Sequence, residues 1–280
     1  MEFRFASRRP AGLERYVESV WYARGRIDYP DERIAPTGSV VAVVVLGDPI
    51  RETPADGTGE SLVAETGFLL GPHDRPVVNE PLGETHCVGI VTTPVGCEAV
   101  FGVRPATIRG RVVDLQTAWP EAEPLRRRLL DRIGGTPDDL LDLVTATLTP
   151  TLTAGTRPRD TGRCERAVAA LEADPAQSIG ALAAELGLSH GHLDHEFTEI
   201  VGLSPRVLAR ILRLRVLLAR LDVYAPVPWS ALAAELGWFD QSHFIRDFKR
   251  HTGVTPSDYV VAQRRSFTPD QAAPGFVPRR

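Results

Sequence analysis

The side chains able to do covalent or metal chemistry are few in this 280-residue chain, and they do not gather. Cys87, Cys97 and Cys164 form an odd count with no metal-type spacing, so reduced thiols are expected. A metal site needs His and carboxylate ligands clustered within reach of one ion. The N-terminal half offers only His73 and His86, 13 positions apart, so neither a metal nor another cofactor is expected. What does cluster is cationic: Arg206, Arg210, Arg213, Arg215 and Arg220 stand in one stretch with no carboxylate before Asp222. A solvated basic face has this composition, and so does a surface that meets phosphate.

These arginines sit between two copies of one unit. Ala181–Gly187 recurs letter for letter at Ala231–Gly237, an offset of 50. His192–Phe197 then aligns with His243–Phe248, and Gly202–Pro205 with Gly253–Pro256, at an offset of 51, so the second copy has gained one residue. Each copy spells a short helix, a glycine turn and a second amphipathic helix. In the first, Ser178 caps, Gly187 stops, Ser189 caps again and Gly202 closes; in the second, Gly237, Asp240 and Gly253 do the same work. That is the helix-turn-helix pattern, with a generic helical bundle as the alternative for a single copy. Ser204-Pro205 opens a continuous helix to Leu221, 17 residues or about 25 Å. With its flanks it separates two reading heads by roughly one DNA turn, and some of its arginines, notably Arg206, Arg210 and Arg213, are expected to face phosphate.

The stretch Ile179–Gln263 resembles the DNA-binding domain of the AraC/XylS family of transcription regulators over its whole length. The second half carries the match, from Ala233-Ala234-Glu235-Leu236-Gly237-Trp238-Phe239-Asp240-Gln241-Ser242-His243-Phe244 to Gly253-Val254-Thr255-Pro256-Ser257-Asp258-Tyr259. The resemblance implies a seven-helix domain that activates or represses at promoters under a second domain's control. It also implies that Gln241, Ser242, His243 and Arg246 read bases, with Lys249 and Arg250 towards phosphate. The chemistry fits, since Arg grips guanine and Gln pairs adenine bidentately. The first unit departs from the pattern: Asp194 stands where a base contact is usual, with Glu196 and Glu199 behind it. Either Asp194 accepts from a cytosine amino group or this head binds weakly, with His190, His192, His195 and Thr198 as its contacts. From Asp160 onward there are 14 basic and 14 acidic residues, so the footprint is local and non-specific affinity modest.

Ahead of this the composition is that of a soluble two-domain protein, 43% hydrophobic and 24% charged, with a net charge of −4. No apolar run suits a membrane span and Met1–Phe5 has no signal layout, so the cytoplasm is the expected location. Val17–Ala23, Val40–Leu46, Ser61–Leu70, Pro76–Asn79 and Thr85–Thr93 read as strands between turns, which makes residues 1–117 a small barrel or sandwich. Val40–Leu46 is apolar on both faces and belongs in the middle. Pro36-Thr37-Gly38, Leu46-Gly47-Asp48-Pro49 and Gly71-Pro72-His73-Asp74-Arg75-Pro76 resemble the cupin-like N-terminal domain of AraC-type regulators, which implies sensing of a small molecule or assembly. His73 and Arg75 would suit an anionic ligand at a pocket mouth; a turn histidine bonded to its own loop is the alternative. One of Trp21 and Tyr22 is core and the other faces a pocket.

Residues 118–153 form a helical hairpin, for dimerisation or for packing on the β domain. Residues 154–160 are a linker, 161–264 the tandem helix-turn-helix domain, and 265–280, with Pro269, Pro274 and Pro278, a disordered tail. The fold class is therefore α+β in two domains, and the function that of a sequence-specific DNA-binding transcription regulator, not an enzyme. Its partners would be double-stranded promoter DNA, RNA polymerase if it activates, an unknown small-molecule effector and a second copy of the chain. Two alternatives belong to other classes. A DNA-repair fusion needs an activated thiolate, for which Val95-Gly96-Cys97-Glu98 offers no base. A helical protein-protein module would explain the acidic first helix.

Overall fold

A strand with no polar face must be covered on both sides, and Val40–Leu46 dictates the N-terminal architecture in this way. In the computed structural model, which describes residues 3–54, 60–153, 160–269 and 274–279, it forms β4 (Val41–Val45). β4 lies inside a six-stranded antiparallel sheet with β1 (Arg4–Arg8), β2 (Val17–Gly25), β7 (Gly67–Leu70), β9 (Thr85–Thr92) and β10 (Val112–Asp114), in the order β1-β2-β9-β4-β7-β10. A second antiparallel sheet holds β3 (Asp31–Ile34), β5 (Ile50–Pro54), β6 (Leu62–Ala64), β8 (Val77–Pro81) and β11 (Phe276–Arg279), in the order β11-β3-β8-β5-β6. The domain is thus two sheets face to face, not a closed barrel. Val43 and Val45 fill the space between the sheets with Ile50, Ala64 and Val77. Ala42, Val44 and Leu46 point the other way, into a second core with Leu125, Leu129, Leu140 and Val144.

That second core is supplied by α1 (Cys97–Phe101), α2 (Leu115–Ala118), α3 (Ala122–Leu130) and α4 (Pro137–Thr153), with a 3-10 turn at Pro105–Ile108. The hairpin α3–α4 is therefore packed on the larger sheet. Most of the expected linker, 154–159, lies outside the described residues. Among the described residues seven helices follow: α5 (Gly162–Ala173), α6 (Ile179–Glu185), α7 (His190–Val201), α8 (Pro205–Arg220), α9 (Trp229–Glu235), α10 (Gln241–Thr252) and α11 (Pro256–Ser266). Among the described residues no helix is long and apolar enough to cross a membrane.

The tail corrects an expectation. Residues 276–279 are a strand rather than disordered chain, pairing Phe276 with Ile34 and Val277 with Arg33 at the edge of the smaller sheet. An edge tolerates Pro278, whose missing N–H would break an interior ladder. The Arg279 guanidinium pairs with Asp31, the Gln263 amide donates to the Phe276 carbonyl, and the Gly275 N–H donates to the Tyr259 hydroxyl at 3.0 Å. The end of the chain therefore ties α11 back to the β domain.

Inside the sandwich lies a polar row that hydrophobic alternation could not announce. Glu52 of β5, Asn79 of β8 and Glu32 of β3 sit side by side across three strands. Glu32 accepts from the Asn79 amide (3.1 Å) and from the Tyr29 hydroxyl (2.8 Å). Glu52 is 2% exposed and its Oε2 has no hydrogen-bond partner among the described residues. Burial, with the Glu32 charge adding to it, pushes the Glu52 carboxyl well above its usual range. A carboxyl raised by folding favours the folded state most when it is neutral in both states, and that advantage is lost as pH climbs through the folded value. Glu52→Gln should therefore raise the melting temperature near neutral pH, by a gain of about 1–3 kcal/mol. The gap should close as pH falls towards the ordinary glutamate value of 4.5. Melting curves of both proteins across pH check this, and a gap independent of pH would refute it.

Candidate nucleic-acid interface

Each half of the helical domain hangs its outer helix on a buried stripe. In α7 these are Leu193, Phe197, Ile200 and Val201, and the Ser189 hydroxyl caps the helix by accepting from the His192 N–H at 3.2 Å. In α10 they are Phe244 and Phe248, held in an aromatic cluster with Trp229, Trp238 and Tyr259, and the Asp240 carboxylate accepts from the His243 N–H at 2.6 Å. Such caps satisfy donors that the first turn leaves open. The caps and glycine stops named from the sequence stand where expected, with Gly187, Gly202, Gly237 and Gly253 all at left-handed φ.

The faces opposite the stripes are open. Gln241, Ser242, Arg246 and Lys249 are exposed on α10, and His190, His192 and His195 on α7, with Thr198 half-buried. His243 is turned back: its Nε2 lies 3.3 Å from Asp247 Oδ2, the oxygen that also accepts from the Trp238 indole N–H at 3.1 Å. On α7 the acidic side is partly neutralised within the domain. Glu196 pairs with Arg163 at 3.1 Å and lies 3.8 Å from the His192 Nε2.

Three of the five arginines of α8 have other employment. Arg213 Nη1 donates to the Gly237 carbonyl (3.1 Å) and Nη2 to the Pro175 carbonyl (3.2 Å), while its guanidinium lies 5.3 Å from the centroid of the Trp238 ring. It is a strut between the two units, not the phosphate contact expected of it, because two loop carbonyls come within its reach. Arg215 reaches Glu18 (2.8 Å) and the Thr37 carbonyl (3.0 Å) of the β domain, and Arg220 pairs with Glu235 at 2.7 Å. Arg206 is exposed and Arg210 half-exposed.

Arg250, also expected at phosphate, is instead clasped by the β domain. Its Nε and Nη2 donate to Asp74 Oδ2 at 2.9 and 2.5 Å, and the Asp74 carbonyl lies 2.7 Å from His251 Nδ1. Burial alone would raise the Asp74 carboxyl, but the Arg250 hydrogen bond and charge outweigh it and hold its pKa below the usual carboxylate range. His73 sits beside this clasp. It is buried, with Nδ1 2.9 Å from the carbonyl of Gly71, and burial lowers both its pKa and that of His251. His73 therefore does not line a pocket mouth with Arg75, which is exposed. Tyr22 is core, packed edge-on to His86 at 5.5 Å, and Trp21 is half-buried against the inter-sheet core and stacked on Phe5.

Both outer helices end against the β domain. A Cβ on Gly202, after α7, would fall 2.6 Å from Pro72 Cγ, and one on Gly253, after α10, 2.7 Å from Arg33 Cδ. With their C-terminal ends seated there, α7 and α10 leave His190, His192, Gln241 and Ser242 of their N-terminal turns exposed. Cys87, Cys97 and Cys164 are buried free thiols, and burial pushes each up to about 12. Among the described residues no group of three or more His, Cys, Asp or Glu side chains could hold a metal ion.

A duplicated helix-turn-helix with its outer helix faces open is the architecture of a DNA-binding transcription regulator. Residues 182–262 match the family described as a helix-turn-helix domain, and residues 9–114 match a domain of unknown function, DUF6597. Its helix-turn-helix domain is of the AraC type, and a DUF6597 domain stands ahead of it. No curated protein matches it. Among solved structures it is similar to ToxT from Vibrio cholerae, at 11% identity over 93% of this chain and 98% of that one, with a TM-score of 0.49. ToxT from Vibrio cholerae O395 shares 12% identity over 92% and 97%, with a TM-score of 0.48. The structure of wild-type ToxT from Vibrio cholerae strain SCE256 bound to an unsaturated fatty acid shares 11% over 92% and 94%, with a TM-score of 0.47.

Proposed function

We propose that this regulator grips promoter DNA with the N-terminal turns and outward faces of α10 and α7, as a non-catalytic cytoplasmic protein whose β-rich part, residues 1–117, senses a small molecule. Gln241, Ser242 and Arg246 read bases, His243 is held by Asp247 at the edge of that face, and Lys249 and Arg206 meet phosphate. α7 is the weaker head, using His190, His192 and His195. The observation that carries this reading is that both recognition helices are seated on the β domain by their C-terminal glycines while the polar residues of their N-terminal turns, His190, His192, Gln241 and Ser242, stay exposed. In helix-turn-helix docking those ends carry the base contacts. RNA polymerase is the further partner if the bound site activates.

The direct test is a titration of the full-length chain against a random-sequence duplex over a salt series. Affinity should fall linearly on logarithmic axes as counterions are released. A flat series would favour a protein-protein module instead.

Control by the β domain would act through the Asp74 clasp, since it withholds one cation of α10 from DNA. Asp74→Asn keeps the shape and removes the charge, so Arg250 becomes free to meet phosphate. The salt slope should then steepen by about 0.9, one phosphate's worth. Adding Arg250→Ala to Asp74→Asn should restore the wild-type slope; equal slopes in all three proteins would show that Arg250 never reaches the backbone.

A further inference from the structure

The residue gained by the second unit can be located. Leu188 and Trp238 make the same turn contact, each backbone N–H donating at 2.9 Å to Ala183 and Ala233 respectively, so the offset there is still 50. The caps Ser189 and Asp240, which accept from His192 and His243, are already 51 apart. The extra residue therefore lies between Trp238 and Asp240: it is Phe239. Trp238 occupies the inward position of Leu188, buried at 4% exposure, and leaves Phe239 no place in the core.

Phe239 is 92% exposed, more than any other large hydrophobic side chain among the described residues. Single exposed apolar residues are common on protein surfaces; what distinguishes this one is its address. It immediately precedes the cap of α10, at the opposite end of the helix from the Gly253 seat on the β domain and beside the exposed Gln241 and Ser242. The apolar feature that a major groove offers at such a place is the thymine C5-methyl group, a known partner of phenylalanine.

We propose that Phe239 is a specificity-determining residue that recognises thymine by its C5-methyl group, next to the bases met by Gln241 and Ser242. This deepens the reading of α10 given above and rests on it. An added turn residue with no structural duty can carry such a contact at no cost to the fold.

The probe is a duplex selected by the full-length chain from a randomised library, with each thymine replaced in turn by deoxyuridine, which lacks only the methyl. Dissociation constants are measured for the wild type, Phe239→Ser, Phe239→Leu and Arg246→Ala. For the wild type, one or two deoxyuridine positions should weaken binding by about threefold to tenfold. Phe239→Ser should bind the thymine and deoxyuridine duplexes equally, Phe239→Leu should keep part of the difference, and Arg246→Ala should bind more weakly overall while keeping all of it. Wild-type indifference to every replacement, or undiminished sensitivity in Phe239→Ser, would overturn the assignment. A loss in Phe239→Ser that ignores the methyl would reassign the contact to the backbone and overturn it too. If Arg246→Ala binds like the wild type, the fault lies with the base-reading role of α10 itself.

Discussion

Replacing Arg246 by alanine should weaken binding to a selected duplex by roughly five- to a hundredfold, the equivalent of about 1–3 kcal/mol. Arg246 is exposed on the outward face of α10 while its neighbours Phe244, Asp247 and Phe248 are buried. Deleting it removes no contact of the fold that the structure records, so its effect should appear in DNA affinity and not in the melting temperature. Its fork of donors suits guanine O6 and N7. The discriminating readout is base preference: the variant should lose its preference for guanine at one position, whereas a phosphate contact would weaken all sequences alike. Competition titrations with duplexes altered one base pair at a time check this, and an unaltered preference would remove Arg246 from the reading set.

Arg213→Ala should do the opposite, lowering stability first and DNA binding as a consequence. The side chain donates to Gly237 in one unit and Pro175 at the entry to the other, and stacks on Trp238. Charge-assisted hydrogen bonds of this kind are worth about 1.5–3 kcal/mol, the aromatic contact adds about 0.5–1 kcal/mol, and burial of the guanidinium offsets part of it. Burial also lowers the Arg213 pKa, which is the mark of that offset. A net loss of about 1–3 kcal/mol corresponds to several degrees in melting temperature. Because the strut joins both units, a duplex carrying both half-sites should lose more affinity than one carrying a single half-site. Equal losses on the two duplexes would mean that Arg213 stabilises one unit without orienting the other. Arg213→Lys should recover part of the stability, having the charge but not the fork.

How much of this was legible in the sequence follows from where the information resides. The repeat, the caps Ser189 and Asp240, the stops Gly187, Gly202, Gly237 and Gly253, and the linker helix were readable because each depends on residues within a turn or two of one another. Val40–Leu46 announced its central place because an unbroken apolar strand has no alternative. β3 and β5 were missed because Glu32 and Glu52 turn charged side chains inward, reversing the alternation that marks a strand. β11 was missed because its pairing partner lies some 240 residues away and its Pro278 counts against a strand wherever an edge cannot be foreseen.

The employment of the arginines was the harder matter. A run of cations looks the same whether it meets phosphate, a loop carbonyl as Arg213 does, or a carboxylate of another domain as Arg215 and Arg250 do. Only the fold brings Glu18 and Asp74 to them. One clue was nonetheless present, since His243 and Asp247 stand four apart on α10 and foretell a contact that turns the imidazole inward. The one-residue shift between the two copies was visible as well, but not that it fell on Phe239.

Methylation interference on a selected duplex bound by the full-length chain tests the central claim most directly, because it reports which guanine N7 atoms must be free in the major groove. Two recognition helices with exposed outer faces, spaced by a helix of 16 residues, should give two clusters of interfering guanines, centred about one helical turn apart on one face of the duplex. Interference confined to a single cluster, or none despite tight binding, would contradict the account.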